Sequence, residues 1–585
     1  MDQKRFSIEG KKIVLKIRHR ICESAEEMVE SPLFREIVAR AIRDLERRES
    51  ILCGLFPETL STDQRIATMV EAIKYLIKMP LELIPNLVPN TSRFLEQKEM
   101  LFHFVEFVYN FWRGFDRFII CDSEGDSLDK RPYRTFNETV EALTHLVRQV
   151  YREIQENITH EHPNTYRQVR AGAGFAAIAL PKAIPLPEKY VKMVADIGVI
   201  RQVLLNPPLV LNPPMNKRKG GFQRIDTNLA DFISLDKEHW ICFPAKVGPL
   251  VILIYFHECF YELGFSLVNL FEIASDRDLQ TQPKGIYFFG APPAQLESLG
   301  ENATAFFEDK DNNIFVAAVP GKPEYGYFGY LKKMVLTLHN CAMMRSAYLP
   351  FHGSLTRIIC KGKKEANILI IGDTGAGKSE TLSAFQELGS DIISDIIPIA
   401  DDMGSLTIDA NGQVIGYGTE IGAFLRLDDL KPGSAFAQLD RAIFMSVSQI
   451  NARVIVPITQ YNDIIKGTRI DYVLYANNYE NVDADHAILQ RFASSEEAIR
   501  VFREGTAMSK GTTTSTGLTH AYFANIFGPP EYRDLHEELA QKVFAQFFKN
   551  GVFVGQMRSR LGISGFELKG PEEAAKAMIK MIMEQ

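Results

Sequence analysis

Apolar residues recur at three-to-four spacing over 31–48, 62–78, 93–115 and 135–158, which predicts helices there and a mostly helical segment over 1–160. Ser24-Ala25-Glu26-Glu27 offers a capping-box start ahead of the first run. Phe102, Phe104, Phe107, Tyr109, Phe111 and Trp112 crowd the third, at a spacing that reads as packing between helices. From about residue 164 the texture changes to Gly and Ala, then to the Pro-rich loops Leu205-Asn206-Pro207-Pro208 and Leu211-Asn212-Pro213-Pro214. Alternating stretches at 239–243, 250–256, 285–290 and 313–319 predict strands of a second domain, 165–345. A third domain, 346–585, has predicted strands at 355–360, 368–371, 396–400, 443–446, 453–458 and 472–476. Helix, strand and helix at 532–549, 552–554 and 571–583 follow. The expected class is α/β: a two-domain mixed α/β core preceded by an all-α N-terminal domain.

Composition narrows the function classes. At 585 residues the chain exceeds one core, and two or three domains are expected. A net charge of −7 argues against a general nucleic-acid or membrane-surface binder. The seven cysteines are scattered without C-x-x-C spacing, as for reduced thiols in a cytoplasm. Met1-Asp2-Gln3-Lys4-Arg5 leads into a mixed, charged stretch, so no signal peptide is expected. The most apolar window, 248–274, is interrupted by His257, Glu258, Glu262 and Glu272, and reads as a buried strand followed by a core helix. The expected location is cytoplasmic, with no nucleic acid and no membrane as partner.

The chemistry begins at Ile368-Leu369-Ile370-Ile371, a buried-strand pattern that runs into Gly372-Asp373-Thr374-Gly375-Ala376-Gly377-Lys378-Ser379-Glu380. Gly372, Gly377, Lys378 and Ser379 fall at the spacing of a phosphate-binding loop. Triphosphate oxygens rest against backbone N–H groups, so side chains must vanish where the loop wraps. Lys378 is expected at the β/γ phosphates and Ser379 on Mg²⁺, with the following helix pointing its positive end at the anion. Paired carboxylates, Asp401 and Asp402, end a predicted strand, where one can hold a hard cation while the other acts as base. Asn451-Ala452-Arg453 can set a guanidinium on a transferring phosphoryl group. The basic run Lys217-Arg218-Lys219-Gly220-Gly221 is either a solvated loop or an anion-binding one. Residues 505–517, rich in hydroxyls, form either a lid over the nucleotide or a flexible loop.

In order along the chain, Tyr327-Phe328-Gly329-Tyr330-Leu331-Lys332-Lys333, His352-Gly353-Ser354, the glycine turn, Asp401-Asp402 and Asn451-Ala452-Arg453 resemble the phosphoenolpyruvate carboxykinase superfamily, which includes the HPr kinase/phosphorylase. The resemblance covers roughly 165–585. It implies that Lys333, His352 and Asp402 ligate a catalytic Mn²⁺ or Mg²⁺, with Ser379 on the nucleotide-bound metal. It also implies that Asp401 supports the ligands, that Tyr327 lies at the substrate pocket, and that Arg453 bridges to the phosphoryl group. Arg426, in Glu420-Ile421-Gly422-Ala423-Phe424-Leu425-Arg426, is similar to the lysine of the family's E-G-G-C-Y-A-K stretch. A coordinating lysine must be deprotonated, so Lys333 needs a depressed pKa.

The glycine turn itself is closer to the HPr kinase form, G-D-S-G-x-G-K-S-E, and the carboxykinase G-R-S-P-K-D-K stretch is missing; Arg218 or Arg170 stands as its substitute. The implied activity is ATP-dependent conversion of oxaloacetate to phosphoenolpyruvate, ADP and CO₂, with ATP and Mn²⁺ or Mg²⁺ as cofactors. Two alternatives stand beside it. One is a kinase acting on a protein serine or a small-molecule hydroxyl, with Asp401 or Asp402 as base. The other is a non-catalytic nucleotide-binding regulator whose N-terminal helices bind partners.

Overall fold

The computed structural model describes the chain except residues 1–5, 10–11, 18–21, 23, 122–130, 163–164, 168–174, 206–207, 301–303, 363, 374, 428–438, 511–515, 529 and 585. It is a mixed α/β structure whose packing divides into two units, Met1–Pro163 and Asn164–Gln585. No helix among the described residues is long and apolar enough to cross a membrane.

The first unit is built on helices Pro32–Arg47, Thr62–Leu76, Lys98–Arg113 and Arg131–Thr159. Ser31 caps the first of these, and Ser61 with Gln64 closes a capping box on the second. Their apolar stripes meet in one core around Val38, Met69, Leu76, Leu101 and Phe104. The all-α expectation for residues 1–160 is corrected here. Strands Phe6–Glu9, Lys12–Ile17 and Asp116–Cys121 form a three-stranded sheet, the first pair antiparallel and the second parallel. The physical reason is period-two alternation: Phe6 and Ile8, then Ile13, Leu15 and Ile17, alternate with polar or smaller residues and suit a pleated surface.

The second unit holds two large sheets. One runs through the strands Trp240–Val247, Leu250–His257, Gly285–Ala291 and Ile314–Pro320. The other has the order Thr468–Arg469, Val414–Gly418, Met403–Ile408, Leu349–Cys360, Glu365–Ile371, Tyr472–Asn477, Phe553–Arg558, Leu489–Arg491, with Ile393–Ala400 also pairing Leu349–Cys360. Helix Phe328–Arg345 is buried along nearly all its length. A helix apolar all round belongs in an interior. Leu331, Met334, Val335 and Leu338 lie in the core it shares with both sheets; burying each contributes roughly 1.5–3 kcal/mol. The predicted strand over 250–256 is present as Leu250–His257, but the core helix expected after it is only the short turns Tyr261–Phe265 and Ser266–Asn269.

Three neighbouring strands, Glu365–Ile371, Tyr472–Asn477 and Phe553–Arg558, run parallel. Their C-terminal ends therefore open on one edge of the sheet, the place where open α/β sheets receive ligands. That edge carries the glycine turn.

Candidate functional site

The backbone gathers the site before any side chain acts. Strand Leu349–Cys360 pairs Met403–Ile408 through its first residues and Ile393–Ala400 through its later ones. Asp401 and Asp402 are the step between those two partner strands, so they fall opposite His352. The Gly353 N–H donates to the Asp402 carbonyl at 3.0 Å, and the Gly372 N–H donates to the His352 carbonyl at 3.2 Å. Gly353 is required at this crossing: a Cβ there would lie 2.4 Å from the Ile370 carbonyl oxygen.

His352 is buried, and its Nδ1 meets the Ala524 carbonyl. A carbonyl only accepts, so Nδ1 carries a proton, and Nε2 lies 2.9 Å from Asp402 Oδ1. Two acceptors that close call for a shared cation, either a proton or a metal ion. The other Asp402 oxygen, Oδ2, accepts from the Lys332 ammonium at 2.6 Å. Lys332 also lies 3.0 Å from Glu420 Oε1.

Lys333, the next residue, points its Nζ over the Phe527 ring, 4.7 Å from the centroid, and the His352 ring lies 5.6 Å from the same centroid. Burial, reinforced by the positive charge of Arg218 and only partly offset by Asp402, pulls the Lys333 ammonium down to about 8. Burial also pushes Asp401 up to about 6, with the Asp402 charge adding to it. Burial alone would raise Asp402 too, but Lys332, His352 and Lys378 outweigh it and hold that carboxyl well below its ordinary range.

A second cluster surrounds Phe424. The Lys332 Nζ is 5.9 Å and the Arg453 Cζ 5.3 Å from its ring centroid, with Tyr327 and Phe328 at 6.2 and 5.1 Å. Arg426 and Arg453 are direct cross-strand partners, so the two guanidinium groups stem from one face of the Gly422–Arg426 and Arg453–Pro457 ladder. Like charges directly opposite are unfavourable, which marks the face as one suited to an anion. Arg453 also donates to Asn451 Oδ1 at 2.8 Å, and its Nε is buried without a hydrogen bond. The Lys217–Lys219 loop reaches the same neighbourhood. Lys219 exchanges hydrogen bonds with the Tyr330 hydroxyl at 2.9 and 3.0 Å, and Arg218, tucked inward over Phe222, acts electrostatically on Lys333.

In the glycine turn, Gly375 and Gly377 have positive φ, and Lys378 opens the Lys378–Ile392 helix. Its Nζ donates to the Gly372 carbonyl and, at 3.2 Å, to that of Asp373; burial lowers its pKa. Ala376 is buried, while Asp373 and Glu380 are half-buried. Thr374, the Ser379 side chain and Arg170 lie outside the described residues. So does 511–515 of the 505–517 stretch, whose flanks Thr506–Lys510 and Thr516–His520 pair as an antiparallel hairpin.

The structure thus brings Lys333, His352, Asp401, Asp402 and Lys378 together, with Tyr327, Arg426 and Arg453 on the adjoining face. No sequence pattern marks the parts played by Lys332, Glu420, Phe424 and Asn478. The Asn478 carboxamide donates to the carbonyls of Gly375 and Met508, both at 3.0 Å, tying the turn to the hairpin.

No protein-family model matches the chain, and no curated protein matches its sequence. The donor set fits a divalent cation on its own chemistry. An imidazole nitrogen lies 2.9 Å from an oxygen of a carboxylate held ionised, and Lys333, an amine with a depressed pKa, packs on the same Phe527 ring as that imidazole. Mixed nitrogen and oxygen donors suit Mn²⁺ at least as well as Mg²⁺.

Proposed function

We propose that the chain transfers the γ-phosphoryl group of a nucleoside triphosphate to the enolate oxygen formed when oxaloacetate loses CO₂, giving phosphoenolpyruvate and ADP. The observation that carries this reading is the approach of His352 Nε2 to Asp402 Oδ1, one backbone hydrogen bond from Gly372. It puts a cation-seeking pair at the end of a turn suited to phosphate. Lys333, His352 and Asp402 would hold a divalent cation, which would supply positive charge to the enolate and to the transferring phosphoryl group.

The residues of the chain do the rest. The C–C bond to the departing carboxylate breaks, its electron pair passes to the enolate, and the enolate oxygen attacks the γ-phosphorus as the bond to ADP breaks. Lys378, Arg426 and Arg453 spread the charge of the group in flight. Arg218, drawn in beside Lys333, grips the carboxylate that the product retains, in the role left open by the missing G-R-S-P-K-D-K stretch. Lys332 holds Asp402 in place.

One observation favours a second reading, transfer to a protein serine or small-molecule hydroxyl. Asp401, pushed up to about 6, is poised as a general base near neutral pH. An assay of the purified chain with ATP and Mn²⁺ separates the two. Oxaloacetate-dependent ADP formation with equimolar CO₂ supports the first reading. ADP formed only with a hydroxyl acceptor, and no CO₂, supports the second.

A further inference from the structure

We propose that Glu420 is a positioning residue of the cation centre, acting on Asp402 through Lys332. The inference rests on the phosphoryl-transfer reading for the identity of the ion that Asp402 receives; the arrangement of the three side chains stands independently of it.

Glu420 occupies the short turn between strands Val414–Gly418 and Gly422–Arg426, and only 4% of it is exposed. Both ends of that turn are pinned. A Cβ on Gly418 would fall 1.9 Å from the Ile399 carbonyl oxygen, and one on Gly422 would fall 1.9 Å from that of Asn269. Ile399 lies on the strand that delivers Asp401 and Asp402, so the turn is pressed against the backbone of the centre itself. Thr419 adds a third tether: its hydroxyl donates to the carbonyl of Met403, the residue after Asp402, at 2.9 Å, and lies 3.2 Å from Glu420 Oε2. The Glu420 carboxylate is thereby fixed 3.0 Å from Lys332 Nζ, opposite the 2.6 Å bond from Lys332 to Asp402 Oδ2.

Sharing is the consequence. A buried ammonium facing Asp402 alone would neutralise that carboxylate and weaken it as a donor to a cation. Placed between two carboxylates, Lys332 orients Asp402 through Oδ2 while leaving the cluster with negative charge to offer a cation at Oδ1, where His352 waits. A buried carboxylate is costly without such a partner, and Lys332 is the cation within ion-pair distance of Glu420 among the described residues.

The test measures Mn²⁺ uptake by the full chain at pH 8 without nucleotide, following free Mn²⁺ by electron paramagnetic resonance. Four proteins are compared: wild type, Glu420→Gln, Lys332→Met and the double variant, each checked for an intact thermal transition. Lys332→Gln replaces Lys332→Met should the latter not fold. The expected result is that Glu420→Gln, which keeps shape but removes charge, weakens Mn²⁺ binding about tenfold, and that it has no further effect once Lys332 is gone. Unchanged affinity in Glu420→Gln overturns the proposal while leaving the phosphoryl-transfer reading intact. So does the same weakening with and without Lys332, because Glu420 would then not act through it. Failure of the wild type to take up Mn²⁺ removes both.

Discussion

Replacing Asp401 by Asn removes a carboxylate that the fold keeps ionised at neutral pH against its preference. Its folded pKa of about 6 lies above the ordinary 3.8, a difference of 6 − 3.8 = 2.2. At 1.36 kcal/mol per unit this is about 3 kcal/mol, and partial exposure of the side chain brings the expectation to about 1–3 kcal/mol. The sign follows from linkage. A carboxyl with a raised folded pKa contributes its full stability below about pH 3.8 and loses it as pH climbs through 6. Asp401→Asn should therefore stabilise the second unit by about 1–3 kcal/mol at pH 8, and by roughly half that at pH 5. Urea midpoints read this out, taken with a chelator present. Trp112 and Trp240 are the two tryptophans, so a Trp112→Phe background leaves buried Trp240 as reporter of the second unit alone. The same variant should lose phosphoryl transfer, a stability gain at the expense of activity. A destabilised Asp401→Asn protein at pH 8, or an equal gain at both pH values, refutes the argument.

Lys378→Ala should abolish nucleotide binding in calorimetric titration, because the ammonium that meets the Gly372 carbonyl is gone. Arg218→Ala should raise the KM for oxaloacetate about 10–100-fold with nucleotide affinity unchanged, since a charge-assisted carboxylate contact is lost. His352→Ala should weaken Mn²⁺ uptake at least tenfold, and an unchanged affinity would place the cation elsewhere. Asn478→Ala removes three hydrogen bonds to Gly375 and Met508 and should speed amide exchange in both the turn and the Thr506–Lys510 strand.

Much of this site is legible in the sequence, and what is not has physical causes. The glycine turn announces itself because its chemistry is contiguous. The Asp401–Asp402 pair is legible by itself, but that Lys333 and His352 join it follows from resemblance alone, since no periodicity brings residues so far apart together; the change of pairing along Leu349–Cys360 sets His352 beside Asp402, and the buried Phe328–Arg345 helix supplies Lys333. That strand was expected only from 355, because Pro350 and Gly353 weaken a strand pattern, yet Gly353 is there to admit the Ile370 carbonyl. Lys332 and Lys333 are adjacent on one helix, and only the packing decides which meets Asp402. Glu420 stands in a quoted stretch, but its contact with Lys332 is not legible there because the two are 88 residues apart, 420 − 332. The N-terminal sheet is not legible because its strands are short and lie before and between long helical patterns that dominate the segment.

The central claim is transfer of a nucleotide's γ-phosphoryl group to the enolate of decarboxylated oxaloacetate at the His352–Asp402 centre. Phosphorus-31 resonance of the chain with Mg²⁺, ATP and oxaloacetate tests it most directly. The γ-phosphate signal of ATP should give way to those of phosphoenolpyruvate and ADP, and His352→Ala and Lys378→Ala should leave it in place. An ATP spectrum unaltered by oxaloacetate, from a wild-type protein that binds both ATP and Mn²⁺, would contradict it.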